Sequence, residues 1–95
     1  MEIIPIYTKV EKLIEIKRGV VVMESTDGFP VKETNIYMVD ANGDIIWKAE
    51  KPDPRVLFTK IKLNEDSTLS TFTSDGRFCE LNLETGKIIS SSSFR

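Results

Sequence analysis

The chain has no histidine and a single cysteine, Cys79. Without histidine there is no Ser–His–Asp or Cys–His nucleophilic arrangement and no imidazole for acid–base work. One cysteine excludes an intrachain disulfide, and the usual zinc ligand sets cannot be assembled within one chain. No apolar run approaches the roughly 18 residues that cross a bilayer as a helix. Met1-Glu2-Ile3-Ile4-Pro5 lacks the basic and long apolar regions of a secretory leader. A charge surplus is missing too: 13 basic residues stand against 15 acidic ones, a net of −2, so nucleic acid and anionic membrane are not expected partners. These absences predict a soluble, cytoplasmic, non-enzymatic protein with no cofactor and no metal. At 95 residues it reads as one domain, residues 1–95, with a modest core.

What is present is an internal echo. Val20-Val21-Val22-Met23-Glu24-Ser25-Thr26-Asp27-Gly28 matches Leu69-Ser70-Thr71-Phe72-Thr73-Ser74-Asp75-Gly76. Ile36-Tyr37-Met38-Val39-Asp40-Ala41-Asn42-Gly43 matches Cys79-Glu80-Leu81-Asn82-Leu83-Glu84-Thr85-Gly86, and Gly43 and Gly86 lie 43 residues apart. That period suits a four-stranded β unit. Six turn signals, at 17–19, 26–28, 41–44, 64–67, 74–76 and 84–86, separate runs rich in β-branched and aromatic residues. Strands are predicted near 12–17, 20–25, 35–40, 45–50, 56–63, 68–73, 77–83 and 87–93. Asn42-Gly43 reads as a type I′ hairpin turn.

Alternation sorts the faces. Cys79, Leu81 and Leu83 oppose Phe78, Glu80 and Asn82, so one face of that strand is buried. Leu57, Thr59, Ile61 and Leu63 are set against Val56, Phe58, Lys60 and Lys62. Val20 to Met23 is continuously apolar and reads as buried on both faces. Thr8 to Arg18 fits either a helical stripe or a strand; a strand over 12–17 preceded by a loop or short helical turn is the reading taken. Lys51-Pro52-Asp53-Pro54 cannot be a central strand and divides the units, 12–50 and 56–94. Between Gly28 and Gly43 the first unit is five residues longer than the second between Gly76 and Gly86 (15 against 10), and insertions on such scaffolds often carry binding.

The run Ile36-Tyr37-Met38-Val39-Asp40-Ala41-Asn42-Gly43-Asp44-Ile45-Ile46-Trp47 resembles the strand–turn–strand of PQQ-like and related propeller blades. Leu81-Asn82-Leu83-Glu84-Thr85-Gly86-Lys87 resembles the same unit, with Asn82 and Leu83 departing from the usual aspartate. Over about residues 12–95 the chain is similar to short, uncharacterised bacterial proteins built from two such units. The resemblance implies an all-β fold of about eight antiparallel strands in two four-stranded, blade-like units. Two units cannot close a ring. They either pack as a sandwich or open barrel or complete a ring by self-association. Binding of PQQ needs residues from many blades and is not expected.

Candidate sites follow from residue type. Phe29, in the longer loop, is expected as an exposed aromatic anchor. Lys48, Lys51, Arg55, Lys60 and Lys62 lie within fifteen residues against Glu50 and Asp53, a local net of +3. They form a candidate binding patch for a protein or a phosphate-bearing ligand. Asp40-Ala41-Asn42-Gly43-Asp44 mimics a calcium loop but has Lys51 where the bidentate Glu belongs, and reads as a hairpin turn. Trp47 and Cys79 read as core. The functional expectation is a binding protein that occludes a macromolecular partner, as an immunity protein or a phage-encoded inhibitor does. The alternative is an oligomer that encloses a small phosphate-bearing signal.

Overall fold

Short runs of β-branched and aromatic residues, each closed by a turn, fold as antiparallel strands. The computed structural model describes residues 3–93, and every regular element among them is a strand. They are β1 (Val10–Ile16), β2 (Gly19–Glu24), β3 (Ile36–Val39), β4 (Ile45–Lys48), β5 (Phe58–Leu63), β6 (Thr68–Thr73), β7 (Arg77–Asn82) and β8 (Ile88–Ser93). Each pairs with its sequence neighbour, giving two sheets ordered β1-β2-β3-β4 and β5-β6-β7-β8. The expected all-β fold of eight antiparallel strands is the observed one. No barrel closes: the sheets face each other in a slab of 40 × 32 × 16 Å. The residues open to a helical reading are a strand from Val10, preceded by bends at 6–8 rather than a helical turn.

One core joins the sheets. Val21, Met23, Ile36, Met38 and Trp47 pack against Phe58, Ile61, Leu69, Cys79 and Leu81. Burying Phe58 completely is worth about 2–3 kcal/mol on its own. A second cluster lies on the opposite face of the first sheet, where Val20, Val22, Tyr37 and Val39 pack with Ile3 and Val10. The segment before β1 thus adds a partial third layer, and β2 is buried on both faces as its continuous apolar run predicts.

Two local expectations are corrected. Strict alternation sets Phe58 on the face of Lys60, yet Phe58 is fully buried. The register slips between Phe58 and Lys60, so Thr59 is a bulge residue and Phe58 turns to the face of Ile61. At the β3–β4 turn, Gly43 alone takes positive φ (86°), and Asn42 does not. The Asp40 and Asp44 backbones close a three-residue loop (Asp40 N–H to Asp44 O, 2.9 Å; Gly43 N–H to Asp40 O, 3.0 Å). That is the type I turn with a glycine bulge, not the two-residue type I′.

Polar links fix the sheets to each other. Asn35 donates to the Glu24 and Phe58 carbonyls (2.9 and 2.7 Å) and accepts from the Phe58 N–H (2.9 Å), so its amide pairs with β5 as a backbone would. Trp47 Nε1 donates to Leu83 O (2.9 Å), and its ring covers Gly86. Lys12 Nζ donates to Ile61 O at 3.0 Å.

Candidate binding surface

The surface begins at a buried carboxylate. Glu24 ends β2 on the face turned toward the N-terminal segment and has no exposed area. Its oxygens accept from the backbone N–H groups of Ile6 (2.7 Å), Tyr7 (3.0 Å) and Thr8 (2.9 Å), and from the Tyr37 hydroxyl. Burial pushes the Glu24 carboxyl up, but the bonds from Thr8, Tyr37, Ile6 and Tyr7 outweigh it and hold the group below its ordinary value of 4.5. Tyr37 is pushed well above 10.0, first by burial and then by the adjacent Glu24 carboxylate. Glu24 is therefore an anion that clamps residues 6–8 to the sheet.

The clamp sets Tyr7 at the margin of the β2–β3 loop. Its ring meets Phe29 edge to face, with centroids 5.2 Å apart. Two successive turns shape this loop: Phe29 N–H bonds Thr26 O (3.2 Å) with Gly28 at positive φ, and Glu33 N–H bonds Pro30 O (3.0 Å). Phe29 points inward between them. Expected as an exposed anchor, it is only 5% exposed, because Tyr7 covers it; Tyr7 itself is 49% exposed.

The stretch linking β4 to β5 is fastened to this loop by Lys51. Its ammonium donates to the carbonyls of Val31 (2.5 Å), Glu33 (2.9 Å) and Pro54 (3.0 Å). Burial lowers the Lys51 pKa, and the nearby Asp53 and Glu33 charges oppose that shift. Next to it Asp53 accepts from Arg55 Nε (3.1 Å), Nη2 (3.0 Å) and backbone N–H (2.8 Å). Those bonds pull the Asp53 carboxyl down to about 2, and Arg77 lies 3.8 Å from the same carboxylate. Arg77 also pairs with Asp75 at 3.0 Å. Exposed pairs of this kind add little stability but fix direction. The Arg55 side chain stays 86% exposed.

The five basic residues adjacent in sequence do not form one patch. Lys48 pairs across from Tyr37 and shares its outer face of the first sheet. Lys60 and Lys62 stand on the outer face of the second sheet, opposite Phe72 and Ser70. Only Lys51 and Arg55 share a place: both lie beside Asp53 in the β4–β5 stretch, which Lys51 ties to the loop that carries Phe29. Sequence reasoning missed Tyr7, Val31 and the buried polar pair Glu24 and Asn35. The one signal for Glu24 was its place directly after a run read as buried on both faces.

Chemistry elsewhere is sparse. Among the described residues no three His, Cys, Asp or Glu side chains converge as a metal site requires. Cys79 is buried, and Asp40 accepts from the Asn42 and Asp44 N–H groups of its own turn. Surface hollows are open; one of about 580 Å³ lies beside Lys62, Asn64, Asp66 and Glu80. Among the described residues no helix is long and apolar enough to cross a membrane.

No curated protein and no solved structure matches the chain. A family model does, over residues 2–93, nearly the whole length: the chain belongs to the family described as Domain of unknown function (DUF7957).

Proposed function

We propose that this protein is a non-enzymatic binding module that covers a surface of a partner protein, and that it does so with the loops joined by Lys51. One observation carries this reading. At this end the buried groups serve the chain itself, while Tyr7, Val31 and the Arg55 guanidinium, aimed by its pair with Asp53 yet 86% exposed, are left outward on a fastened base. Tyrosine and arginine are the side chains that most often anchor protein interfaces, and a fixed base lowers the ordering cost of binding. Immunity proteins and phage-encoded inhibitors act in this way, and a cytoplasmic setting goes with it. The likeness of the two sheets to propeller blades belongs to the same reading, as a scaffold that carries loops. For the small-ligand alternative, the split of Lys48 from Lys51 and Arg55 offers no shared pocket.

The test is capture of a partner from host lysate on immobilised protein, followed by affinity measurement on the purified pair. Replacing Arg55→Glu and Tyr7→Ser together should weaken binding by about 2 kcal/mol or more, roughly 30-fold in Kd. Binding that survives both changes, with the fold intact by circular dichroism, places the interface elsewhere and overturns the assignment.

A further inference from the structure

Each sheet has two edge strands, β1 and β4 in the first, β5 and β8 in the second. Edges present unpaired N–H and C=O groups, which proteins guard with charge, bulges, short length or cover. Three of these edges are guarded. β1 carries Glu11, Lys12 and Glu15 and is bulged at Glu11. β4 has four residues, a bulge at Ile46 and a terminal Lys48. β5 carries Lys60 and Lys62, is bulged at Thr59, and has its Ile61 carbonyl taken by Lys12. β8 differs. It has neither charge nor proline of its own; its guards, the Glu50 carboxylate that accepts from the Ile88 N–H at 2.9 Å and a bulge at Ile89, lie at its start, and from Ser90 to Ser93 its register with β7 runs unbroken. Among the described residues no strand lies on its outer side, and Ile89 is 52% exposed.

We propose that β8 is an interface between two copies of this chain, each β8 pairing antiparallel with the other across a two-fold axis to form one continuous eight-stranded sheet. Charge selects this occupant. A two-fold between identical antiparallel strands sets residues equally spaced about the axis against each other. Centred on Ile61, β5 places Lys60 against Lys62; centred on Leu13, β1 places Glu11 against Glu15. Like charges directly opposite destabilise a pair. Beyond the Glu50 carboxylate at Ile88, every register of β8 with itself between Ser90 and Ser93 pairs neutral serines, whose hydroxyls hydrogen-bond across strands. The contact is a narrow strip of main-chain bonds, so the dimer is concentration-dependent rather than obligate. It does not rest on the loop surface described above.

A dilution series by sedimentation and native mass spectrometry tests it, with hydrogen exchange at the same concentrations. The unmodified chain should dimerise as concentration rises, and the β8 amides should exchange more slowly as it does. The double variant Ser90→Lys, Ser92→Lys should raise the dimer Kd at least about tenfold, a change of about 1.4 kcal/mol. Lys at 90 stands beside Glu80, so the fold tolerates it. Ile45→Lys, on the β4 edge, should leave the dimer unchanged. A chain that stays monomeric to its solubility limit, a dimer that the Lys pair leaves intact, or β8 amides whose exchange ignores concentration would each overturn the proposal.

Discussion

Glu24 shows how a charge can be buried without a countercharge. Desolvation alone would push its proton on, yet three backbone N–H groups and one phenol converge on two oxygens. Bonds to a charged acceptor contribute about 1.5–3 kcal/mol each, and an amide in its place turns donors against donors. Glu24→Gln is therefore expected to lower stability by about 2 kcal/mol, read from urea unfolding with Trp47, the single tryptophan, as reporter. The pH dependence follows from the sign of the shift. The folded value lies below 4.5, so this stabilisation is full above 4.5 and is lost as pH falls through the folded value. Tyr37 has the opposite sign: raised above 10.0, it stabilises fully below pH 10 and less as pH rises beyond it. Glu24→Gln should flatten the acid limb of a stability–pH profile and Tyr37→Phe the alkaline limb. Profiles unchanged by both would show that the clamp contributes nothing.

At the scale of elements, the strands were legible because burial of one face writes a period of two. The bulges were not. A single unpaired residue at Thr59 leaves no mark in composition, yet it reverses the face of Phe58. The turns were legible as turns but not as types. Asp40 and Asn82 both accept from N–H groups of the turns they open, although Asn82 stands one residue further from its glycine. Glycine spacing alone therefore aligned Asp40 with Leu83. The two glycines also differ in what they protect. A Cβ on Gly43 meets nothing, and only its φ of 86° is strained by a side chain. On Gly86 it would lie 2.4 Å from Trp47 in addition to a φ of 73°. Gly43→Ala should cost about 1 kcal/mol, from backbone strain alone. Gly86→Ala should add roughly 1–3 kcal/mol of overpacking and shift the Trp47 emission. Equal losses at both positions would mean that the ring does not rest on Gly86.

At the scale of the whole molecule, the sequence showed two units but not how they depend on each other. The dependence lies in side chains distant in sequence: Asn35 on Phe58, Trp47 on Gly86, Lys12 on Ile61. None leaves a periodic trace. The same holds for the candidate surface. Its basic residues were adjacent in sequence, but alternation, the sheet boundary and the loops send them to different faces, while Tyr7 arrives from a segment held by the Glu24 carboxylate and by bonds of Thr8 and Lys9 to Ser25. Among the described residues the inner faces of the two sheets pack on each other in one core, so neither unit has a complete core alone. The chain should unfold in one cooperative transition, with fluorescence of Trp47 in the first sheet coinciding with hydrogen exchange of β6 and β7 in the second. Asn35→Ala strips the Phe58 N–H of its acceptor in a dry site and should cost about 1–3 kcal/mol, lowering both probes together. Separate transitions for the two sheets, or loss confined to the first, would show two units that merely touch rather than one fold built from both.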